Sequence, residues 1–381
     1  MNNDSTAPRI RPFVFNPANI QPPRSESKKL DDAPDNIAKS PDALAEKEFM
    51  PFDSRLDPET AIAAIKDIQD SFNQLAAQGV SLIRTMQMGF VIAGSIVTLY
   101  FTLRIIDIVC DLWVRSPIPV DSFGADKGYW AVVTGCTDGI GKELAIQLGE
   151  LGYKLVLLSR TQSKLDEFEQ HLAKMGIKTD SYAVDFSIAT QSDWTHIKNM
   201  LSSKNVGVLV NNVGVCHPVT TTFMEESPEL CKQMVNVNIT TMMNMTRYVT
   251  PQMRERKNGL ILNIGSWTSM KGMPFLPVYA ATKGFVKTFS QSLACELEPE
   301  GITVEHIFSF WVSSKMSGYK TASMSIPSPS VYASHVLTHI GLKCGTLESY
   351  SSVPYPPHSY LGFVASVMWD LRITPPILHS K

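Results

Sequence analysis

The chain has 381 residues, 44% of them hydrophobic and 18% charged, a balance that suits a buried core rather than a disordered polymer. Its formal net charge of −2 excludes the global basic field that draws nucleic acid, so no nucleic-acid partner is expected. Six scattered cysteines, at positions 110, 136, 216, 231, 295 and 344, form no C-x-x-C pair and no cluster with histidine. That argues against a zinc site or a disulfide framework and for a reducing compartment.

Residues 1–55 are rich in Pro, Ser, Asn, Asp and Lys and lack apolar periodicity. Such a stretch buries too little surface to offset chain entropy, so a disordered tail is expected. It has no apolar run near its start and does not read as a secretory signal peptide. Asp57-Pro58 has the form of a helix start, with Asp as N-cap and Pro at the first helical position. Ile62, Ile65, Ile68, Phe72 and Leu75 follow at three- and four-residue spacing and predict an amphipathic helix over 56–84. Its apolar stripe suits packing on the protein itself or contact with a membrane surface. From Thr85 to Leu103, 19 residues carry no charge, close to the roughly 20 needed to cross a bilayer's hydrocarbon. Arg84 and Arg104 flank this run, and Tyr100 and Trp113 suit an interface. A single transmembrane helix over 85–103 is expected, with a buried core helix as its competitor.

Beyond Ser116-Pro117-Ile118-Pro119 the pattern becomes an alternation of strands and helices. Strand-like runs are Trp130–Thr134, Lys154–Ser159, Asp180–Val184, Val206–Val210, Leu260–Ile264 and Thr303–Phe308. Apolar, β-branched strands separated by helical stretches predict an α/β fold, a doubly wound parallel sheet covered on both faces.

The first run leads into Thr134-Gly135-Cys136-Thr137-Asp138-Gly139-Ile140-Gly141, followed by a helical stretch. Glycines between a strand and a helix let the backbone turn tightly and approach a pyrophosphate at the helix N-terminus. The spacing is G-x-x-x-G-x-G, and a plain structural turn competes with it until the strand–helix context is counted. The second run ends at Ser159-Arg160, nineteen residues past Gly141. An acidic residue there would hydrogen-bond the ribose of NAD; Arg160 instead suits the 2′-phosphate of NADP. NADPH is therefore the expected cofactor. Asp185, after the third run, can accept from an adenine amine. Asn211-Asn212-Val213-Gly214 closes the fourth run, where ligands gather in open parallel sheets; a plain turn competes with both readings, and the position beside the expected cofactor favours function.

Tyr279 is the one tyrosine with a lysine four residues on, Lys283, a spacing that puts both side chains on one helix face. A free phenol, pKa about 10, holds its proton too tightly for efficient transfer at neutral pH. An ammonium beside it favours the phenolate and is expected to lower that pKa. Ser266 stands thirteen residues earlier, at the end of the fifth run, where a hydroxyl can orient a carbonyl and stabilise its developing oxyanion. Asn238, in the helix expected between the fourth and fifth strands, either holds a water linked to Lys283 or bonds its own backbone.

Taken in order, Thr134-Gly135-x3-Gly139-x-Gly141, Asn211-Asn212-x-Gly214, Asn238, Ser266 and Tyr279-x3-Lys283 resemble the short-chain dehydrogenase/reductase family over residues 127–315. The resemblance implies a Rossmann-type sheet, with Tyr279 as proton donor and Lys283 lowering its pKa and binding the nicotinamide ribose. It implies that Ser266 positions the carbonyl, that Asn238 holds a relay water and that Gly135, Thr137, Asp138, Gly139, Ile140, Gly141, Ser159, Arg160, Asp185, Asn212 and Val312 line the cofactor. Asp138 through Lys142, Leu158-Ser159-Arg160-Thr161 with Lys164-Leu165, and Ile326-Pro327-Ser328-Pro329 with Tyr332 are similar to one membrane-bound branch. That branch holds the very-long-chain 3-oxoacyl-CoA reductases and the related 17β-hydroxysteroid dehydrogenases of the endoplasmic reticulum. The resemblance implies a hydrophobic substrate, an acyl-CoA or a steroid, a reticulum membrane location, and pairing into a homodimer through helices near Glu225–Val249 and Pro277–Leu297. A catalytically silent scaffold on the same fold is the competing class. Where the family usually carries Pro and then Val-x-Thr, this chain reads Ser309-Phe310-Trp311-Val312-Ser313-Ser314. Residues 316–381 are expected to form a substrate lid and a C-terminal extension.

Overall fold

The computed structural model describes residues 57–218 and 221–370. The tail over 1–55 and the final eleven positions therefore lie outside the described residues. The chain divides into two units, one up to Met86 and one from Gln87 onwards. The described part of the first is helix, and its stripe of Ile62, Ile65, Ile68, Phe72 and Leu75 is exposed. From Pro58 onward, the segments 56–84 and 85–103, read separately from the sequence, run without a break in one helix, α1 (Pro58–Trp113). Their glycines are isolated, and each costs only about 1 kcal/mol relative to alanine in a helix interior.

Thr85, Thr98 and Thr102 each donate a hydroxyl to the carbonyl four residues back in α1. This satisfies polar groups that would otherwise be costly in hydrocarbon. The most apolar 18-residue window of α1 has none of its residues buried, so it qualifies as a membrane-span candidate and not as a core helix. The last turns of α1 are packed into the second unit. Ile108 and Leu112 pack with Cys344 and Phe363, and Phe101 meets Phe363 edge to face. Buried Asp111 accepts from the Cys344 amide at 3.0 Å and pairs with Arg115 at 2.5 Å. Removing one partner of such a carboxylate would strand a buried charge, so this joint is specific as well as apolar.

Seven strands form one sheet in the order β3-β2-β1-β4-β5-β6-β7, every neighbouring pair parallel. They are β1 (Trp130–Thr134), β2 (Lys154–Ser159), β3 (Thr179–Ala183), β4 (Val206–Asn211), β5 (Gly259–Ile264), β6 (Ile302–Ile307) and β7 (Ser351–Ser352). The first two match the predicted runs, and the next four differ by one residue at one or both ends. Successive strand residues point to opposite faces. Ala131 and Val133 pack with α2 (Gly139–Glu150), α3 (Gln162–Lys174) and α8 (Pro329–Leu337). Val132 packs instead with α4 (Gln191–Ser202), α6 (Thr241–Arg256) and α7 (Pro277–Leu297). The remaining helices are α5 (Pro228–Val235) and α9 (Pro356–Asp370). Strand order reverses at β1, whose next neighbour is β4, and that switch point leaves a crevice outside the carboxyl ends of the two strands.

Candidate active site

At the carboxyl end of β1, Gly135 (φ +66°) and Gly139 (φ +56°) adopt the left-handed backbone that other residues rarely take. Gly141 is needed for another reason. A Cβ there would stand 2.2 Å from Asn212 Nδ2 and 2.5 Å from the Gly135 carbonyl. Asn212 donates through that amide to the carbonyls of Thr134 and Gly135, at 3.0 and 3.1 Å. In return Thr134 Oγ1 accepts from the backbone amides of Asn212 and Val213, at 3.0 and 3.1 Å. The glycine loop and the Asn-Asn-x-Gly turn are thus one hydrogen-bonded piece, read as two separate signals in the sequence. Asp138 caps α2 by accepting from the Gly139 amide at 2.8 Å. Ile140 packs against the core beneath. The cradle, in which left-handed glycines let the backbone turn closely between strand and helix, fits a dinucleotide pyrophosphate at the start of α2.

Thr137 meets Ser159 hydroxyl to hydroxyl at 2.8 Å, tying the loop to the end of β2 and leaving Arg160 exposed just beyond. Asp185 stands after β3, where its Oδ1 accepts from both the amide and the hydroxyl of Ser187. The Val312 carbonyl accepts from Ser317 at 2.5 Å. Ser309, standing where the family's proline is usual, is held from the side: Tyr332, fully buried on α8, donates toward Ser309 Oγ (2.9 Å) and the Phe308 carbonyl (3.2 Å).

Ser266 follows β5 and is buried, its hydroxyl accepting from the Thr268 hydroxyl at 2.9 Å. Tyr279 and Lys283 lie one turn apart on the buried face of α7, with Lys283 Nζ 6.0 Å from the phenol ring centroid. Lys283 donates to the Ile264 carbonyl at 2.8 Å, two residues before Ser266. Asn238 does not sit in a regular helix: residues Asn236–Thr240 form a π-helical turn between α5 and α6. There it accepts from the Val215 amide at 2.8 Å and donates to the Val215 carbonyl and Thr282 hydroxyl, both at 3.0 Å. The irregular turn aims the side chain across at the loop after β4 and at α7, a frequent use of π-turns at functional sites. A Cβ placed on Gly214 would be 3.5 Å from Asn238 Oδ1 and 3.7 Å from Lys283 Nζ, so the two converge on that glycine. A cavity of about 10 Å³ between them is lined by Asn211, Asn238, Ile264 and Lys283. The structure therefore groups Ser266, Tyr279, Lys283 and Asn238, and separately the glycine loop, Ser159 and Asn212. Arg160 and Asp185 stand apart at neighbouring strand ends.

The electrostatics correct one expectation. Burial, with the nearby Cys216 thiol, pushes the Tyr279 phenol above its ordinary range, and the Ser266 hydroxyl draws it back only in part. Lys283 does not bring it down on balance; burial instead lowers its own ammonium to about 8. In both groups desolvation is the largest cause of the shift.

Several residues around the site, Asn263, His306, His217 and Glu226 among them, escaped the sequence. Asn211 donates to Asn263 Oδ1 and Thr246, and Asn263 donates to Ser290, a polar layer inside the sheet. Its signal was an asparagine inside each of two otherwise apolar strands. His306 lies on β6 with burial lowering its pKa to about 3, so it is neutral. A Cβ on Gly265 would stand 2.0 Å from its ring, immediately before Ser266. His217 and Glu226, both buried, pair at 2.5 Å and close the loop that carries Val215 and Cys216.

The model of the short chain dehydrogenase family matches residues 129–325, just over half of the chain. The chain belongs to the short-chain dehydrogenase family. It is accordingly an NAD(P)-dependent oxidoreductase acting on ketone or hydroxyl groups. A very-long-chain 3-oxoacyl-CoA reductase of Coprinopsis cinerea is 36% identical over 282 residues, covering 72% of this chain and 82% of the relative. A protein of the same name from Laccaria bicolor is 41% identical over 250 residues, covering 63% and 72%. Among solved family folds, a short-chain dehydrogenase from Sphingobium yanoikuyae in complex with NADPH superposes with a TM-score of 0.53 at 22% identity. It covers 64% of this chain and 95% of its own.

Proposed function

We propose that this chain uses NADPH to reduce the 3-keto group of a long-chain 3-oxoacyl-CoA to the 3-hydroxyacyl-CoA, as the ketone-reducing step of fatty acid elongation. The observation that carries this reading is the gathering of Ser266, Tyr279, Lys283 and Asn238 at the carboxyl ends of β4 and β5, beside the glycine cradle. The names borne by the most similar relatives support the substrate class. An exposed apolar span in α1, with its base packed into the second unit, supports work at a membrane. We place that membrane at the endoplasmic reticulum, with a single pass over 85–103.

The amides at the start of α2 would hold the pyrophosphate of NADPH, and Arg160 its 2′-phosphate. The chemistry that a bound reduced nicotinamide would supply is hydride transfer to the substrate's carbonyl carbon. The Ser266 hydroxyl holds the carbonyl oxygen, and Tyr279 delivers a proton to it. A phenol kept protonated by burial suits an acid in the reducing direction, since it arrives at the reaction with its proton. As Tyr279 gives that proton up, the Lys283 ammonium one turn away stabilises the phenolate. The small cavity between Lys283 and Asn238 has room for about one water, which supports a path for replacing the proton.

Membranes containing the full chain, given NADPH with a panel of 3-oxoacyl-CoAs and steroid ketones, test the reading by product analysis. It expects 3-hydroxyacyl-CoA formed mole for mole with NADPH consumed. Turnover of steroids alone would move the substrate to the other class, and NADPH binding without any turnover would leave a silent scaffold.

A further inference from the structure

The cofactor site holds a charge that works against its proposed ligand. Asp138 is partly exposed, caps α2 and accepts from the Gly139 amide, so a carboxylate stands where the helix N-terminus should attract a phosphate. Anions at that position are favoured by the helix, but a second anion must meet the first. The structure supplies a counter-charge from a distant part of the chain. Lys315 Nζ lies 2.8 Å from Asp138 Oδ2. The backbone behind it is ordered: Ser317 donates to the Val312 and Ser314 carbonyls, and the Ser314 amide donates to Ser317. A Cβ on Gly139 would stand 3.6 Å from the Ser314 side chain, so this turn lies directly against the glycine loop.

We infer that Lys315 is a positioning residue for cofactor binding: by neutralising Asp138 it lets the dinucleotide's pyrophosphate approach the start of α2, and it couples that approach to the segment after β6. The inference rests on the proposed use of NADPH. Burial alone would raise the Asp138 carboxyl, yet Lys315, the Gly139 amide and Lys164 together hold it below the ordinary carboxylate range. The carboxyl therefore presents its negative charge at the start of α2, where the pyrophosphate would lie. Fold stability gives little reason for the pair, because the side chain of Lys315 is 82% exposed and that of Asp138 50%, and such pairs add little. A cation placed there acts on what binds rather than on what folds. The turn that carries it leads into residues 316–381, the region expected to form the substrate lid and C-terminal extension.

The test is equilibrium NADPH binding to the full chain in detergent, followed by nicotinamide fluorescence, for wild type, Lys315→Gln, Asp138→Asn and the double variant. Lys315→Gln should weaken binding roughly two- to fivefold, with an unchanged melting midpoint. The loss should shrink at high salt, since exposed charges are screened. Lys315→Arg should bind as wild type does. The deciding comparison is the Asp138→Asn background, in which Lys315→Gln should have no effect. An equal loss in both backgrounds would overturn the inference by making Lys315 a direct phosphate ligand, and unaltered binding by Lys315→Gln would overturn it outright. A wild-type chain that bound no NADPH at all would refute the proposed function instead.

Discussion

Replacing Gly141 by alanine tests the cradle at its tightest point. In an ordinary helix this change gains about 1 kcal/mol of propensity. Here the new methyl would lie 2.5 Å from a backbone carbonyl, Gly135, and 2.2 Å from the Asn212 amide. The carbonyl belongs to a turn fixed by left-handed glycines and cannot retreat cheaply, so Asn212 must move. That breaks its bonds to the Thr134 and Gly135 carbonyls, each unmade partner costing about 1–3 kcal/mol, and overpacking adds about as much. Set against the propensity gain, the net loss is at least about 2 kcal/mol. The melting midpoint of the full chain in detergent should fall by roughly 5–10 °C. NADPH affinity should fall at least tenfold as the strand-to-helix turn opens. Gly284→Ala in α7 is the control, since a Cβ there meets nothing within 4 Å and should be neutral or stabilising. A Gly141→Ala chain that melts and binds like wild type would refute the steric reasoning.

Lys283, lowered to about 8, should make reduction fall with a single titration as pH rises through that value, because the ammonium is then lost. Stability should run the other way. The unfolded lysine keeps its proton up to about 10.4, so between those values the unfolded chain binds more protons and stability rises with pH. Lys283→Met should abolish both trends, and a pH–rate profile still falling near 8 in that variant would count against the assignment. Tyr332→Phe keeps the buried ring but removes the donor to Ser309 and the Phe308 carbonyl. It should cost about 1–3 kcal/mol in thermal or denaturant unfolding and raise KM for NADPH more than it lowers kcat. Unchanged KM would show that the Ser309–Val312 loop is held by other contacts.

The sheet could be read from the chain because its strands are apolar runs bounded by glycine and polar turns, and their period alone assigns the faces of Ala131, Val132 and Val133. The two-residue strand β7 could not, since Ser351 and Ser352 carry no apolar signal and pair only because β6 presents a free edge. The Tyr279–Lys283 spacing placed both side chains on one buried face of α7. It gave no hint of how far burial would go, and so the phenol's shift had the opposite sign to the one expected. Asn238 was legible as a polar residue amid helix. Its π-turn was not, because that turn exists to satisfy Val215 and Thr282, which are distant in sequence. Lys315 and Asp138, 177 positions apart, meet only after β6 has taken its place in the sheet.

The proton-donating phenol is tested most directly by Tyr279→Phe in the full chain, measuring NADPH affinity and single-turnover reduction side by side. The substitution removes one hydroxyl and leaves the ring's packing in α7 intact. NADPH should bind as tightly as to wild type while reduction slows by roughly 10²–10⁴, the usual worth of a general acid. Reduction at close to the wild-type rate would contradict the account at its centre, since some other group would then be protonating the substrate.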